Sequence, residues 1–281
     1  MIKVLNSGFY ATIQDQGRLG HRSYGVPDSG AMDSYSSEFA NKLLGNNKEA
    51  AVLEMTMTGA ELQFLKPTTI AITGAHMNPT LNGKTIEMFE SILVEPNDVL
   101  SFGKLSNGFR TYVAVKGGFL SEIVLGSRSM AKGITESIRI KKEDVLDFNA
   151  TSIKSPKHAK LKFNSSYHED KILEVTKGPE FDKLTREQQN LLISQNFQVS
   201  KFNNRMAYQL LPLFKNSLEP ILTTPVLPGT VQLTPSGQLI VLMRDCQTTG
   251  GYPRMFQLTE QSINILSQKA TGNRLKFSLK D

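Results

Sequence analysis

Short β-type runs separated by turn residues recur along the whole chain, and this spacing limits the folds open to it. In the first half, Asn82-Gly83 lies between two such runs, and Gly117-Gly118 ends another, over residues 110–115. Asn-Gly between apolar runs is a strong hairpin signal, because both residues tolerate positive φ. Strands about eight to twelve residues apart favour a barrel or a sandwich over βαβ units. We therefore predict a mainly β chain with a few short helices. Further strands are predicted over residues 51–55, 60–65, 68–73, 171–176, 206–211, 231–234, 238–243 and 274–279.

Helix signals are few. The predicted helices cover residues 33–44, 185–195 and a segment beginning at Thr259. Asp33 is the expected N-cap of the first helix, and Gly45 follows its end in the usual C′ role. Thr185 and Gln188 have the spacing of a capping box, which places the start of the second helix.

A basic, polar stretch near the middle of the 281 residues predicts a boundary between two β-rich subdomains. The N-terminal subdomain is expected over 1–150, the linker over 151–168, and the C-terminal subdomain over 169–281. Much of the net charge of +6 lies in this stretch, at Lys154, Lys157, Lys160 and Lys162. No aromatic residues alternate with these lysines, so we predict no nucleic-acid partner.

The lengths of the apolar runs and the cysteine count bear on membrane association and on the redox compartment of the protein. No apolar run approaches the roughly 20 residues of a membrane helix, so no membrane association is predicted. Cys246 is the one cysteine, which excludes an internal disulfide and fits a reducing cytoplasm. A lone cysteine beside a core strand is either a small buried apolar residue or a nucleophile.

Several common motifs are missing from the sequence. Gly83-Lys84-Thr85 resembles the end of a phosphate-binding loop, but Asn78 occupies the position of the required first glycine. The sequence contains no Gly-x-Ser-x-Gly elbow, and its four histidines have no metal-ligand spacing. We therefore predict no metal site, and no catalytic residue can be named from motif spacing.

The strongest candidate site follows the predicted strand at 238–243. A rigid strand that delivers polar side chains into a glycine-bent loop is a common way to build a binding site. A turn joining two strands is the alternative interpretation, because Gly-Gly-Tyr-Pro needs no ligand. The predicted substrate-binding residues in this segment are Asp245, Gln247, Thr248, Thr249, Gly250, Gly251 and Tyr252.

A second polar cluster occupies the glycine-broken loop after the first strands. It contributes Gln14, Asp15, Arg18, Ser29 and Asp33 to the predicted site. Arginine offers a forked donor for a carboxylate or phosphate, and the helix N-terminus near Ser29 and Asp33 favours anions. An Asp15–Arg18 salt bridge with ordinary helix capping is the alternative.

Two further arginines sit in loops where they could hold an anion. Arg128 lies between two serines in Gly126-Ser127-Arg128-Ser129, and Arg205 lies at a loop-to-strand junction. Both complete the predicted set of site residues, although a surface turn is an equal interpretation for the first.

These segments together resemble the subunit-2 family of allophanate hydrolase, also described as the KipA-like, biotin-dependent carboxyltransferase or 5-oxoprolinase C-subunit family. The matching pieces occur in family order from residue 12 to 253. They include Gln14-Asp15-x-Gly17-Arg18-x-Gly20, Gly25-Val26-Pro27-x-Ser29-Gly30-Ala31-Met32-Asp33, Leu53-Glu54, Arg110-x-Tyr112-Val113-Ala114-Val115-x-Gly117-Gly118, Gly126-Ser127-Arg128-Ser129, Asn204-Arg205-Met206 and Asp245-x-Gln247-Thr248-Thr249-Gly250-Gly251-Tyr252-Pro253. Met130 and Ala207 depart from the family pattern, and no biotin-carrier Ala-Met-Lys-Met motif is present.

The resemblance implies two cyclophilin-like β-barrel subdomains and a role in a hetero-oligomer. It implies the C subunit of a 5-oxoprolinase that opens 5-oxo-L-proline to L-glutamate. The implied partners are a KipI-like subunit 1, which is the 5-oxoprolinase B subunit, and the A subunit. ATP would be used in the complex, and biotin would enter only if a partner protein supplied it. The substrates of the family share an amide-like N–C=O group, which suits a site of Gln, Asp and Thr side chains.

Two alternatives remain open from the sequence. One is the carboxyltransferase subunit of a biotin-dependent urea carboxylase. The other is a KipA-type regulatory protein that antagonises a KipI-like inhibitor of a histidine kinase.

Overall fold

The chain divides into two compact units, which do not follow the sequence halves in full. The computed structural model describes residues 1–149 and 162–280. The first unit comprises residues 1–18 and 29–168, and the second comprises residues 19–28 and 169–281. Of the predicted linker, residues 151–161 with Lys154, Lys157 and Lys160 lie outside the described residues, whereas Lys162 and the rest of 162–168 belong to the first unit.

The first unit contains two antiparallel sheets. Its strands are β1 (Ile2–Asn6), β2 (Tyr10–Gln14), β3 (Val52–Thr56), β4 (Glu61–Phe64), β5 (Thr68–His76), β6 (Pro79–Leu81), β7 (Lys84–Thr85), β8 (Ser91–Val94), β9 (Val99–Phe102), β10 (Asn107–Val115) and β11 (Val145–Leu146). One sheet has the strand order β11-β1-β4-β9-β6-β7, and the other has the order β2-β3-β10-β5-β8. The predicted hairpin at Asn82-Gly83 is confirmed, since both residues have positive φ and join β6 to β7.

The main core of this unit collects apolar side chains from both sheets. Strand β10 shows how, because its side chains alternate between two buried layers. Val113 and Val115 belong to the core shared with the six-stranded sheet, while Tyr112 and Ala114 pack with residues of helix α1 (Ser34–Leu43). A strand buried on both faces reads as a continuous apolar run, which is how residues 112–115 appear in the sequence.

Helix α1 begins and ends where its caps predict. Asp33 accepts a hydrogen bond from the Ser36 backbone N–H at 3.1 Å. At the other end, Gly45 has φ of +61°, and the N–H groups of Gly45 and Asn46 donate to the carbonyls of Lys42 and Asn41. This is the Schellman arrangement, which satisfies carbonyls that the helix itself leaves unpaired.

The second unit contains a closed barrel of seven strands. Its strands are β12 (Ile172–Lys177), β13 (Phe197–Asn203), β14 (Ala207–Leu211), β15 (Thr224–Pro225), β16 (Thr230–Leu233), β17 (Leu239–Leu242), β18 (Thr249–Gly250), β19 (Arg254–Leu258) and β20 (Arg274–Leu279). The barrel order is β12-β19-β16-β17-β14-β13-β20, with β12 and β20 parallel and the other pairs antiparallel. Closure leaves the barrel without an open edge.

Two helices complete the second unit at the predicted places. They are α2 (Arg186–Ser194) and α3 (Glu260–Ser267). The capping box of Thr185 and Gln188 is present in full, and Thr259 caps α3 through the Ser262 N–H. The mainly β prediction is thus confirmed, with the closed barrel in the second unit and two sheets in the first. Across 1–149 and 162–280, no helix is long and apolar enough to cross a membrane.

Candidate ligand-binding site

The segment after β17 contains the short strand β18, which forms a two-stranded ribbon in the second unit. Within it, β18 pairs with β15, so that Thr224 lies opposite Gly250 and Pro225 opposite Thr249. The Val226 N–H extends the pairing by donating to the Thr248 carbonyl at 3.0 Å. We call β15 and β18 together the ribbon. The turn interpretation describes the backbone well, so the case for a site depends on the side chains.

Two buried polar atoms at the ribbon have no hydrogen-bond partner among the described residues. They are Oε1 of Gln247 and Oγ1 of Thr224. Buried polar groups in native proteins are paired in the great majority of cases, and an unpaired one costs about 1–3 kcal/mol. Because the pairing of β15 with β18 brings the two segments together, these two unpaired atoms are the strongest indication of a ligand position in this unit. Sequence reasoning found Gln247 but missed Thr224, because only the pairing of β15 with β18 brings that residue to the segment.

Gly250 brings β18 close to a buried glutamine side chain. A Cβ at Gly250 would lie 2.4 Å from Nε2 of Gln232, which donates to the Tyr252 carbonyl at 3.4 Å. A side chain there would displace this buried amide, so the backbone of β18 is held close to β16. Tyr252 is 39% exposed and Thr249, within β18, is also exposed, so both side chains are accessible to a ligand.

Asp245 and Arg205, both predicted to contact substrate, are bound to each other. Nε and Nη2 of Arg205 donate to the two carboxylate oxygens of Asp245 at 2.8 and 3.0 Å. The Asp245 N–H also donates to the Arg205 carbonyl. This forked pair fixes the start of the segment against the loop before β14, and it engages both carboxylate oxygens.

Cys246 is a buried apolar residue in this structure. It is fully buried and packs with Val226 and Leu242. Burial raises the pKa of the Cys246 thiol to about 11, so the thiol is protonated at neutral pH. Since the thiolate is the nucleophilic form, this environment disfavours the nucleophile alternative.

In the first unit, Asp15 organises the second polar cluster. Its carboxylate accepts hydrogen bonds from the Gly17 N–H at 2.8 Å and the Arg128 N–H at 2.6 Å. The hydroxyls of Ser127 and Ser129 also donate to it, each at 2.6 Å. The structure thus joins two segments that are far apart in sequence, and the serines of the Gly-Ser-Arg-Ser turn serve this junction.

The other polar residues of this cluster are also tied to the chain. Nη2 of Arg18, which is 1% exposed, donates to the Ser129 carbonyl. The Gln14 amide donates to the Thr12 hydroxyl at 3.1 Å and to the Met130 carbonyl at 3.0 Å. These contacts shape the loop. Arg128 differs, because its side chain donates to the Ser121 carbonyl and also lines a cavity of about 460 Å³.

Asp33 itself supplies the anion at the N-terminus of α1. Besides capping the helix, its carboxylate accepts from the hydroxyls of Ser36 at 2.8 Å and Tyr167 at 2.5 Å. Asp33 is fully buried, so the sequence-based expectation of an external anion there is replaced by an internal cap. Ser29 is also buried, with φ of +59°, and its hydroxyl has no hydrogen-bond partner among the described residues.

A buried network behind α1 was not identified from the sequence as a site feature. The Tyr112 hydroxyl donates to Glu54 at 2.9 Å and accepts from the Asp33 N–H at 2.9 Å. Burial and the Glu54 carboxylate raise the pKa of Tyr112 well above its ordinary value, so the hydroxyl remains a donor. Arg110 lies 3.9 Å from Glu54. The sequence predicted a strand at 110–115, but the hydrogen-bond partners of Tyr112 come from β3 and the helix cap.

The predicted site residues thus fall into two groups. The first unit holds Gln14, Asp15, Arg18, Ser29, Asp33 and Arg128, and the second holds Arg205, Asp245, Gln247, Thr248, Thr249, Gly250, Gly251 and Tyr252. Residues 19–28 of the N-terminal loop belong to the second unit, where Arg22 bonds to Asp28 and to the Val226 carbonyl. The loop that looks continuous in sequence is therefore divided between the units.

Comparison with known proteins connects these features to a family. Residues 24–279 match the family model described as carboxyltransferase domain, subdomain A and B. The chain is 31% identical to the 5-oxoprolinase C subunit of Escherichia coli over 99% of its own length and 90% of that protein. It is also 44% identical to urea amidolyase of Lachancea kluyveri over 128 residues, which are 45% of this chain and 7% of that one.

Solved structures agree with this assignment. The crystal structure of TTHA0988 superposes with a TM-score of 0.89 at 28% identity, covering 99% of this chain and 55% of that chain. The Kluyveromyces lactis urea carboxylase superposes with a TM-score of 0.87 at 28% identity, covering 98% of this chain and 27% of that chain. The chain therefore spans about half the length of TTHA0988 and a smaller part of the urea carboxylase.

Proposed function

This chain belongs to the family of carboxyltransferase domains with subdomains A and B, and from that membership we propose that it is the C subunit of an ATP-dependent 5-oxoprolinase. The proposed reaction opens 5-oxo-L-proline to L-glutamate in a complex with the A and B subunits. Similarity over 99% of this chain to two bacterial proteins named as the C subunit of 5-oxoprolinase supports the proposal. The proposal also places the protein in a reducing cytoplasm, as expected from its single cysteine.

The observation that carries the proposal is the unpaired amide of Gln247. A cyclic amide such as 5-oxoproline presents an N–H donor next to a C=O acceptor. The buried Oε1 of Gln247 would accept from that N–H, and the Thr224 hydroxyl would bond to the carbonyl. A site that leaves its polar groups unpaired without the right ligand discriminates strongly against analogues that lack the amide.

The remaining residues of the segment have supporting roles in this proposal. The Arg205–Asp245 pair holds the loop, and Gly250 lets β18 approach Gln232 closely. Tyr252 would provide a wall beside the amide. Asp15 and Arg18, which the sequence predicts as substrate-binding residues, hold the loop of the first unit through their own hydrogen bonds. We assign no general acid or base.

Among the helices of residues 1–149 and 162–280, the N-terminus of α1 is unsuited to a phosphate of ATP. Asp33 places a buried carboxylate at the start of α1, where a phosphate would otherwise bind, and Thr185 and Thr259 cap α2 and α3. A carboxylate in that position repels a phosphate. We assign no residue of this chain to the ATP of the proposed reaction.

Reconstitution tests the proposal directly. The chain is mixed with the A and B subunits, and glutamate release from 5-oxo-L-proline is measured with ATP present. Release is expected only from the complete mixture, and Gln247→Leu is expected to abolish most of it. Gln198→Leu, on an exposed position of β13, is the matched control and should retain activity. Absence of glutamate from the complete wild-type mixture would refute the proposal.

A carboxyltransferase role is the second candidate. It is favoured by the 44% identity to urea amidolyase and by the superposition on urea carboxylase. The ureido ring of biotin and urea itself also present N–H and C=O groups to Gln247. In this case, carboxybiotin on a partner protein would serve as the donor, and transfer of its carboxyl group to urea would be detected in place of glutamate release.

A further inference from the structure

The cavity of the first unit carries a separate inference. It has a volume of about 460 Å³, within the usual range for small-molecule sites. Ile13, Phe119, Met130 and Leu146 give it an apolar floor, which is continuous with the core of the unit. All its lining residues belong to the first unit, so it is distinct from the ribbon.

Charged groups of both signs line this cavity without pairing to each other. Arg128 lines it together with four acidic residues, Glu122, Glu136, Asp144 and Asp147. Glu122, Glu136 and Asp147 are exposed, and the half-buried Asp144 accepts a hydrogen bond from the Lys141 N–H at 2.7 Å. None of the five forms an ion pair with another described residue. The lining therefore carries one positive and four negative charges, in a chain whose net charge is +6. Such a concentration of acidic groups attracts cations to the cavity.

Arg128 is held in place from two sides. Its backbone N–H donates to Asp15 at 2.6 Å, and its carbonyl accepts from the Ser121 hydroxyl at 3.0 Å. Nη1 of the guanidinium donates to the Ser121 carbonyl. The other guanidinium nitrogens make no hydrogen bond with a described residue, so the fixed fork can receive a carboxylate.

We propose that this cavity binds a basic α-amino acid, with L-lysine as the representative ligand. Its α-carboxylate would bind Arg128, its two ammonium groups would lie among the four carboxylates, and its aliphatic stem would cover the apolar floor. A neutral amino acid would leave more of the acidic charge unbalanced, and a simple diamine would leave the arginine unused. The inference does not depend on the proposed 5-oxoprolinase role, because that proposal gives no role to Arg128, one of the predicted site residues, or to the acidic residues of the cavity.

Isothermal titration calorimetry on the whole chain tests it with four ligands that differ by single groups. L-lysine is compared with 1,5-diaminopentane, which lacks the carboxylate, with 6-aminohexanoate, which lacks the α-amino group, and with L-norleucine, which lacks the ε-amino group. We expect L-lysine to bind with a Kd of about 1 mM or lower and each analogue about tenfold or more weakly. Raising the salt concentration should weaken L-lysine binding, since exposed charges are screened.

Variants locate the site. Arg128→Gln should weaken L-lysine binding about tenfold or more. It should leave 1,5-diaminopentane binding unchanged or stronger, because it removes a positive charge from the lining. Glu122→Gln combined with Glu136→Gln should weaken both ligands. The matched control is Arg139→Gln, an exposed arginine of the same unit outside the cavity, which should change neither. Circular dichroism confirms that each variant is folded.

Three results would overturn the inference. They are an absence of L-lysine binding to the wild-type chain, equal affinity for L-lysine and L-norleucine, and an Arg128→Gln variant that is folded and binds L-lysine as the wild type does. The first result would show that the cavity does not bind basic amino acids. The second would show that no acidic subsite recognises the ε-ammonium group, and the third that Arg128 does not bind the carboxylate.

Discussion

Replacing Gln247 by leucine should separate ligand recognition from stability, because the two are expected to change in opposite directions. In the free chain, Oε1 of Gln247 is buried without a hydrogen-bond partner among the described residues. Such a group costs about 1–3 kcal/mol, and an apolar side chain of similar size does not carry that cost. We therefore expect the free energy of unfolding of Gln247→Leu to stay the same or to rise by about 1 kcal/mol.

The same substitution should strongly impair the reaction. In the proposed function, Oε1 of Gln247 accepts from the substrate N–H, so the substitution would leave that N–H unpaired in a buried site. We expect kcat/KM for glutamate release to fall about 100-fold, which corresponds to about 2.7 kcal/mol. Stability is measured by urea denaturation followed by circular dichroism, and activity in the reconstituted complex.

Gln14→Leu provides the matched comparison. The Gln14 amide is also buried, but it donates to the Thr12 hydroxyl and the Met130 carbonyl. Its replacement should lower the free energy of unfolding by about 2 kcal/mol, because two buried acceptors lose their donor. If Gln247→Leu lost as much stability as Gln14→Leu, or kept wild-type kcat/KM, the assignment of Gln247 as a ligand acceptor would be refuted.

Three further predictions follow from single residues. Asp15→Ala should lower the free energy of unfolding by about 3 kcal/mol, measured by urea denaturation, because four donors, including the Ser127 hydroxyl, lose a half-buried acceptor. A loss below about 1 kcal/mol would contradict its organising role. Hydrogen bonds from the Arg254 side chain lower the pKa of Glu180, so this pair stabilises the fold above the ordinary carboxyl pKa of 4.5 and stops doing so as pH falls through the lowered pKa. In thermal melts, the melting temperature of the wild type should therefore fall more steeply with acidification than that of Glu180→Gln. Parallel curves would contradict this. Cys246 should resist a thiol reagent such as DTNB in the folded chain at about pH 7.5 and react promptly in about 6 M guanidinium chloride, whereas rapid reaction of the folded chain would show that the thiol is accessible.

Much of the local structure was predictable because its causes are local. The cap at Asp33, the capping box at Thr185 and the hairpin at Asn82-Gly83 each depend on residues within four positions of one another. Two strands of the barrel were not predicted. Both β13 and β19 contain polar residues that alternate with buried ones only weakly, and their place in the barrel is set by their neighbours.

The sequence predicted which residues belong to the candidate site, but not which hydrogen-bond partners they have. Asp245 and Arg205 were both identified, yet the sequence gives no sign that they bind each other across forty positions. Thr224 was missed, since a threonine before a proline in a loop has no distinguishing pattern. The functional interpretation of a polar residue depends on whether its atoms are already engaged, which is a property of tertiary structure.

The sequence by itself determined the β-rich fold class, the ends of the helices and the membership of the family. Strand periodicity, helix caps and sequence motifs each depend on residues close together in the chain. Only the tertiary structure decided that residues 19–28 join the second unit and that Asp15 binds the serines beside Arg128. It also decided which polar groups remain available to a ligand. The physical reason is that hydrogen-bond satisfaction and burial arise between segments distant in the chain, so no local pattern records them.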